Sequence, residues 1–233
     1  MTEFVTEFEG IKLLSGPHSH PGSGPAKAHQ EEYKIFQKSL QLIKNDNPVM
    51  VELGAFWGLW SLCFKQKFPL GKNVLIELGK RQLHVGQKNF ELNKLNGDFY
   101  WGGVFLSDSG TFQNRINDID YKPRTNSYWD THEIKGEKAG PELDLLSIFD
   151  QEHIKKIDML HMDIQGSELP VIRLLDNKGW LKGNVSNLIV ATHSSRIHQE
   201  ILDILTNKNK FNIVFNCAFG LIGGDGLLVM NHE

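Results

Sequence analysis

Five predicted β-strands each end in, or are closely followed by, a titratable side chain. These side chains are Glu52, Glu77, Asp108, Asp163 and His193. In open α/β sheets the carboxyl ends of the parallel strands form the edge at which ligands bind, where the strand order reverses. Carboxylates there can hold hydroxyl groups by charge-assisted hydrogen bonds, and a histidine can exchange a proton near neutral pH. The pattern therefore predicts a ligand-binding edge.

The spacing of the first two acids suggests the ligand. Glu77 follows Glu52 by 25 residues, close to the roughly 20-residue spacing at which an acid accepts hydrogen bonds from ribose hydroxyls in nucleotide-binding folds. Each such bond to a carboxylate contributes about 1.5–3 kcal/mol. A solvated acid that caps a helix is the alternative interpretation. The spacing favours a ligand that contains adenosine.

The turn after Glu52 reads Gly54-Ala55-Phe56-Trp57-Gly58. A nicotinamide dinucleotide site uses G-x-G-x-x-G, whose middle glycine lets the backbone approach a pyrophosphate. Phe56 is bulky at the position where an E-h-G-x-G-x-G pattern would carry a glycine, and this disfavours pyrophosphate. S-adenosylmethionine has no phosphate and is favoured over NAD(P). An NAD(P)-dependent oxidoreductase stays open as the enzyme alternative, and a catalytically inactive binding module stays open as the non-enzyme alternative.

Strands and helices alternate along the chain, which predicts a mostly parallel sheet with helices on both faces. Two final strands without a helix between them predict an antiparallel pair joined by a glycine-rich hairpin turn. The predicted strands are 49–51, 74–76, 99–106, 157–162, 188–192, 211–215 and 227–230. The predicted helices are 28–43, 59–64, 80–95, 143–149, 166–175 and 196–205.

Two segments match no regular element. Residues 15–30 are rich in glycine and proline and predict a loop, either a lid over the site or a plain N-terminal arm. His18, His20 and His29 in this segment lack a cysteine or an acid at ligand spacing, which disfavours a metal site. Residues 111–141 are polar and aromatic and predict an insertion in the domain.

Composition indicates an ordinary globular protein of 233 residues, enough for one sizeable α/β domain. The formal net charge of −3 disfavours a general nucleic-acid or anionic-membrane binder. Cys63 and Cys217 stand in apolar runs and are interpreted as reduced core residues. The N-terminus lacks the pattern of a signal peptide and no apolar run is long enough to span a bilayer, so we expect a cytoplasmic protein.

The sequence from Val49 to Met230 resembles the FkbM family of S-adenosylmethionine-dependent methyltransferases. The most specific match is IDMLHMDIQGSE at 157–168, where the family usually reads K-h-D-h-E-G-x-E. Three positions depart from the family pattern: His161 replaces Lys, Gln165 replaces Glu, and Phe56 replaces Asn. The other matching motifs are VELGA with Gly58, Ile76-Glu77, NFELN at 89–93 with Asn96, Leu106-Ser107-Asp108 with Gly110, and LDLL at 143–146.

The resemblance implies the Rossmann-like fold of class I methyltransferases, a seven-stranded, mostly parallel sheet with an antiparallel terminal strand. From the chain length we expect one domain over 1–233, with an N-terminal arm or lid and first helix at 1–47 and a core at 48–233. The resemblance also implies roles toward the cofactor. Glu52, Gly54, Ala55, Phe56 and Gly58 would face its methionine end, Glu77 its ribose, Ser107 and Asp108 its adenine, and Asp163 its sulfonium.

Methyl transfer from a sulfonium is an in-line displacement, so most of the catalysis can come from holding the two reactants collinear. An alcohol acceptor must also lose its proton, and a positioned base adds about 10²- to 10⁴-fold. The candidate bases are His193, then Asp163, then His161. A metal-dependent methyltransferase would be expected to pair the acid after the fourth strand with an Asp-Asn after the fifth. This sequence has no Asp-Asn there, so no metal is expected, although Asp163 and His193 stay open as a weak metal site.

The resemblance also implies the acceptor class, which is a hydroxyl of a sugar, a glycan or a secondary metabolite. Residues 15–30 and 111–141 are the expected recognition segments, since tyrosine, tryptophan and arginine suit sugar rings and acidic groups. The expected partner is this small-molecule or glycan acceptor, without nucleic acid or membrane, and a homo-oligomer stays open.

Overall fold

A computed structural model describes residues 4–15, 27–104, 140–222 and 225–232. In these ranges the strands are β1 (Phe4–Phe8), β2 (Ile11–Ser15), β3 (Val49–Leu53), β4 (Lys72–Glu77), β5 (Asp98–Trp101), β6 (Gly103–Val104), β7 (Glu142–Leu143), β8 (Met159–Met162), β9 (Asn187–Thr192), β10 (Asn212–Ile222) and β11 (Asp225–Asn231). The helices there are α1 (Lys27–Leu40), α2 (Leu59–Lys67), α3 (Lys80–Leu92), α4 (Leu145–Gln151), α5 (Glu168–Asn177) and α6 (Ser195–Asp203), and α6 continues into a short π-helical segment (Ile204–Lys208).

Seven strands form the central sheet, in the order β10-β11-β9-β8-β3-β4-β5. Strands β5, β4, β3, β8 and β9 are parallel, while β11 runs antiparallel to both β9 and β10. The strand order reverses at β3, which lies between β4 and β8. The predicted α/β fold with an antiparallel last strand is confirmed, and the edge at which we expect a ligand is centred on β3 and β8.

Both faces of the sheet are covered by apolar side chains. On one face the core is built with α4, α5 and α6, and on the other with α1, α2, α3 and the β1–β2 hairpin. Val51 and Leu53 face the first core, whereas Met50 faces the second, because successive side chains of a strand point to opposite faces. Each fully buried leucine, isoleucine, valine or phenylalanine contributes about 1.5–3 kcal/mol. By the same alternation Glu52 faces the α1–α2 side.

The β1–β2 hairpin was not predicted from the sequence, which placed this segment in an N-terminal arm. The side chain of Asn89 on α3 accepts a hydrogen bond from the amide of Leu14 at 2.7 Å and donates one to the carbonyl of Trp57 at 3.1 Å. Asn93 accepts from the amide of Lys12 and donates to its carbonyl. The two asparagines of the NFELN motif therefore attach the hairpin to α3 and to the glycine turn.

The predicted strand 99–106 is wrong as one continuous element. It is interrupted at Gly102, which has a φ of +156°, and a Cβ there would lie 2.4 Å from the carbonyl oxygen of Pro141. Strand β5 pairs with β4, while β6 pairs with β7 in a separate small sheet. Residues 105–139, which include most of the predicted insertion, lie outside the described residues.

Two further features bear on the predictions. Asp144 of the LDLL motif caps α4, because its carboxylate accepts from the amides of Leu146 and Ser147. None of the helices in the described ranges combines the length and apolar character needed to cross a bilayer.

Candidate active site

A cavity lies beside the carboxyl ends of β8 and β9, next to α1. Asp163 follows β8 and Asp225 begins β11, the neighbour of β9. Helix α1 contributes Glu32 and Phe36 to the lining. Three carboxylates from three distant parts of the chain therefore meet at the predicted edge of the sheet.

The raised pKa of Glu32 indicates that this cavity is rich in negative charge. Burial raises the pKa of Glu32 to about 7, and the negative charges of Asp163 and Asp225 act in the same direction. No lysine or arginine is present among the described residues that line the cavity. The cavity is therefore suited to a cationic ligand and ill suited to a phosphate or pyrophosphate.

The glycine turn lies against the loop that follows β8. Gly54 has a φ of +79°, and a Cβ at this position would lie 1.8 Å from the carbonyl oxygen of Asp163. The amides of Gly54 and Ala55 both donate to the carbonyl of Ile76, at 2.9 and 3.0 Å. Gly54 is thus required because two strand ends approach each other closely.

Phe56 occupies the left-handed backbone region, with a φ of 48°. Asparagine, the usual family residue, adopts this conformation more readily than a bulky residue does. The phenylalanine ring packs against Trp57, with the ring centroids 4.6 Å apart. The turn keeps its shape despite the substitution.

Glu77 ends β4 and braces the turn. One carboxylate oxygen accepts from the amide of Phe56 at 2.8 Å, and the other accepts from the amide of Gly79 at 2.7 Å. A carboxylate can accept about four hydrogen bonds, so these two bonds do not exclude two ribose hydroxyls. The position of Glu77 and its capacity to accept further hydrogen bonds fit the ribose of an adenosine ligand.

Glu52 lies beneath the site. Its side chain is fully buried, and one oxygen accepts hydrogen bonds from the amide and the hydroxyl of Ser61 in α2. Burial raises the pKa of Glu52 to about 8, although the bonds from Ser61 act in the opposite direction. The expected contact between Glu52 and the methionine end of a cofactor stays a prediction, and the carboxylate has no exposed surface in this structure. Glu52 fixes the start of α2.

His161 stands opposite Glu52 in the parallel pairing of β8 and β3. Its Nδ1 lies 3.7 Å from the second oxygen of Glu52, and its ring packs near those of Phe36 and Trp60, with centroids 6.0 and 5.9 Å away. Burial lowers the pKa of His161 to about 4. The imidazole is therefore neutral at pH 7 and forms part of the cavity floor.

His193 follows β9 and lies between carboxylates. Its Nδ1 is 2.9 Å from Glu168, and its Nε2 is 3.3 Å from Asp163 and 3.8 Å from Asp225. Burial alone would lower the pKa of His193, but Glu168 and Asp163 raise it well above its ordinary value. Burial alone would raise the pKa of Asp163, but His193 lowers it.

The loop between Asp163 and Glu168 carries the most specific motif of the sequence. Glu168 is fully buried, and its carboxylate accepts from the amides of Ile164 at 3.0 Å and of Gly166 at 3.1 and 3.2 Å. Gln165, with a φ of 52°, donates from its side chain to Asp163 at 3.0 Å. The motif therefore shapes the loop that presents Asp163 to the cavity.

The structure brings together several residues that the sequence predicted separately. Asp163 and His193 are neighbours, His161 lies beneath them, and Glu77 lies on the other side of the glycine turn. Ser107 and Asp108, the expected adenine contacts, lie outside the described residues. His18 and His20 lie outside them as well.

Three residues of the site were missed. Glu168 belongs to the motif at 157–168, and a buried acid in that motif was the signal that could have revealed it. Asp225 lies within the glycine cluster, between Gly224 and Gly226, that we interpreted only as a turn. Glu32 has no local signal, because its place depends on how α1 packs across the sheet.

The fold defines the class of protein. The structure superposes on a putative S-adenosylmethionine-dependent methyltransferase from Streptococcus mutans with a TM-score of 0.55 and 11% identity, covering 98% of this chain and 54% of that one. A tRNA (uracil-54, C5)-methyltransferase from Pyrococcus abyssi, solved with S-adenosyl-L-homocysteine, gives a TM-score of 0.53 and 10% identity, covering 98% of this chain and 43% of that one. The fold is that of class I methyltransferases.

Sequence comparison then gives the family. The Methyltransferase FkbM domain matches residues 70–212. Methyltransferase sdnD of Sordaria araneosa is 27% identical over 70% of this chain and 73% of its own length. Methyltransferase 1 of Beauveria bassiana is 24% identical over 65% of this chain and 67% of its own length. The chain belongs to the FkbM methyltransferase family, whose methyl donor is S-adenosylmethionine.

Proposed function

We propose that this methyltransferase transfers the methyl group to an oxygen, a hydroxyl of a sugar, a glycan or a secondary metabolite. The observation that carries the proposal is Asp163, which lines the cavity next to the glycine turn and has His193 3.3 Å behind it. The proposed acceptor class follows from the family resemblance, and the acid–histidine pair supports an acceptor that must lose a proton.

The described residues fit S-adenosylmethionine. Glu77 can accept from the ribose hydroxyls while it holds the amides of Phe56 and Gly79. The carboxylates of Glu32, Asp163 and Asp225 suit a cationic sulfonium, and the described lining offers no lysine or arginine for a pyrophosphate. These features also count against an NAD(P)-dependent oxidoreductase.

The position of Asp163 supports transfer at this cavity. Its amide donates to the carbonyl of Leu53 at 2.9 Å, so its backbone lies directly beside Gly54. A donor bound at the turn and an acceptor in the cavity would then meet at Asp163. Holding both in line can supply several kcal/mol of the lowering of the barrier.

Asp163 is the nearest destination for the proton of the acceptor hydroxyl, because the neighbouring carboxylates raise the pKa of His193 and already favour its protonated form. Methyl transfer forms a carbon–oxygen bond, breaks the carbon–sulfur bond and releases the hydroxyl proton. The carboxylate of Asp163, which exposes 41% of its side chain, can orient the hydroxyl, and His193 lies 3.3 Å behind it. His161 is the third candidate, but it is nearly fully buried and lies next to Glu52.

Calorimetry with S-adenosylmethionine, S-adenosylhomocysteine and NAD tests the cofactor side of the proposal. Glu77→Ala is expected to weaken binding of S-adenosylmethionine by about 10- to 100-fold, because one or two charge-assisted bonds are lost. Glu91→Ala, at an exposed position of α3, is the control and should bind as the wild type does. Unchanged affinity in Glu77→Ala would refute the ribose assignment.

A panel of hydroxylated acceptors tests the reaction itself, with methyl transfer followed by mass spectrometry. A mass gain of one methyl group on an oxygen would support the proposal. Tight binding of S-adenosylhomocysteine without methylation of any panel member would favour a binding module. Methylation at nitrogen or carbon alone would overturn the oxygen specificity.

A further inference from the structure

We propose that His193, Asp163 and Asp225 form a binding site for one divalent metal ion, with Glu168 holding the histidine in place. The ligand atoms of Asp163, Glu168 and His193 lie within 4.8 Å of one another. Asp225 approaches the same histidine nitrogen as Asp163 does. The site lies on the cavity wall, one residue beyond β8 and β9.

The spacing of the ligand atoms suits a single ion. Two ligands about 2.1 Å from one ion lie roughly 3.0 Å apart at an octahedral angle and roughly 3.4 Å apart at a tetrahedral one. The Nε2 of His193 is 3.3 Å from the carboxylate oxygen of Asp163 and 3.8 Å from that of Asp225. Both carboxylates therefore lie within a few tenths of an ångström of the distance from His193 that a shared tetrahedral ion requires.

His193 provides the second observation. Its side chain is only 10% exposed, and within the described part of the chain neither ring nitrogen has a hydrogen bond of acceptable geometry. Buried polar atoms are nearly always satisfied, by protein groups, by water or by an ion. An ion bound to Nε2 would take the place of the proton that Asp163 and Asp225 otherwise attract to this nitrogen.

Glu168 completes the arrangement from the other side of the ring. A metal-binding histidine commonly directs its second nitrogen at a carboxylate, which fixes the orientation of the ring. Glu168 lies 2.9 Å from Nδ1 and is itself fixed by the amides of Ile164 and Gly166. The carboxylate, the imidazole and the proposed ion site thus lie in sequence.

The ligand types indicate which ions would bind. One imidazole nitrogen with two carboxylates suits Mn²⁺ or Zn²⁺ better than Ca²⁺, which prefers oxygen ligands alone. The amide of Gln165 donates to the same oxygen of Asp163 that faces His193, and the second lone pair of that oxygen stays available for an ion. Where the proposed methyl transfer holds, an ion here would bind the acceptor hydroxyl and lower its pKa.

Mn²⁺ is the probe that tests the site, titrated into the metal-stripped full chain and followed by the electron paramagnetic resonance signal of free Mn²⁺. We expect one Mn²⁺ per chain. Asp163→Asn should weaken its binding at least 10-fold, and Glu168→Gln should weaken it about 10- to 100-fold. Asp150→Asn, at an exposed position of α4, is the matched control and should bind as the wild type does.

Two outcomes would overturn the proposal: no binding at millimolar Mn²⁺, or equal binding by Asp163→Asn and Asp150→Asn. Thermal melts of each variant separate lost binding from lost folding, and the partly exposed Asp163 is the variant that should fold best. The titration contains neither cofactor nor acceptor. A failure of Mn²⁺ binding therefore leaves the proposed methyl transfer standing, and a failure of methyl transfer leaves the metal site standing.

Discussion

This protein contains two carboxylate–histidine pairs, and they differ in charge. The sealed pair is Glu52 with His161, whose facing atoms are 3.7 Å apart inside paired strands. The open pair is Asp163, which lines the cavity, with His193 at a distance of 3.3 Å. Burial raises the pKa of Glu52 and lowers that of His161, so the sealed pair is neutral at pH 7. In the open pair the pKa of Asp163 is lowered and that of His193 is raised, so both side chains favour their charged forms.

The surroundings of the two histidines explain this difference. His161 is packed near the rings of Phe36 and Trp60, which offer no charge to hold a proton on it. His193 has a second carboxylate, Glu168, against its other nitrogen. The same two residue types therefore serve as a structural element in one place and as a polar, ligand-facing element in the other, because the second histidine has an additional charged neighbour and its carboxylate partner is partly exposed.

Breaking the open pair should have the largest effect on catalysis. Asp163→Asn removes the carboxylate that faces the acceptor, and we expect kcat for methyl transfer to fall by about 10²- to 10⁴-fold. Binding of S-adenosylhomocysteine should change much less, because Glu77 and the turn remain. Steady-state kinetics and calorimetry on the same preparation measure both quantities, and equal losses in the two would contradict the assignment.

Glu168→Gln should have the next largest effect, because it leaves the open pair in place and removes its additional charge. We expect kcat to fall by about 10-fold or more, since His193 loses the partner that orients it. The free energy of unfolding should fall by about 1–3 kcal/mol, because a buried amide cannot accept all the hydrogen bonds that the carboxylate accepts. Denaturant melts and kinetics check the two effects, and full activity with a normal melt would show that Glu168 is dispensable.

The sealed pair should appear in the pH dependence of stability instead. The folded protein keeps a proton on Glu52 up to about pH 8, whereas the unfolded chain releases it near 4.5. Stability is therefore lost as the pH rises between these values. The opposite effect of His161 ends at its unfolded value of 6.5, so it does not act between pH 6.5 and 8.

Glu52→Gln should remove the contribution of Glu52 to the pH dependence of stability and leave the contribution of His193 unchanged. Between pH 6.5 and 8 the wild type and the variant should diverge by up to about 1.4 kcal/mol per pH unit, with the wild type losing more. Denaturant melts across this range measure the divergence, and Glu91→Gln is the exposed control. Parallel curves for the wild type and Glu52→Gln would contradict the neutral state of the sealed pair.

The smallest effect is expected from Gln165→Glu, which restores the usual family residue. The amide that donates to Asp163 would become a second carboxylate beside it. We expect kcat to change by only a few-fold and Mn²⁺ to bind more tightly, because negative charge is added near the proposed ion. Weaker Mn²⁺ binding in this variant would count against that site.

The sequence could predict that Asp163 and His193 are neighbours, whereas it could not predict that Glu52 and His161 are buried. Asp163 and His193 follow neighbouring parallel strands, and the edge rule alone brings them together. Glu52 obeys the same rule by position, yet it lies inside β3, where α2 covers it. Burial of this kind depends on helix packing, which strand periodicity does not specify.

Long-range contacts account for the remaining differences. Glu32 reaches the cavity only because α1 crosses the sheet, and the β1–β2 hairpin is held by Asn89 and Asn93, which are about 80 residues away in the chain. The sheet order, by contrast, follows from alternating strands and helices. Pattern rules thus predicted the scaffold and two members of the site, while the helix that closes the cavity required the structure.

A paired comparison of His193→Gln and His161→Gln tests the difference between the two pairs most directly. It measures kcat for methyl transfer to the best acceptor of the hydroxylated panel, with binding of S-adenosylhomocysteine as the check on folding. We expect His193→Gln to lose at least 10²-fold in kcat and His161→Gln to stay within a few-fold of the wild type while losing stability. The reverse order, with His161→Gln the more damaged in kcat, would contradict the account.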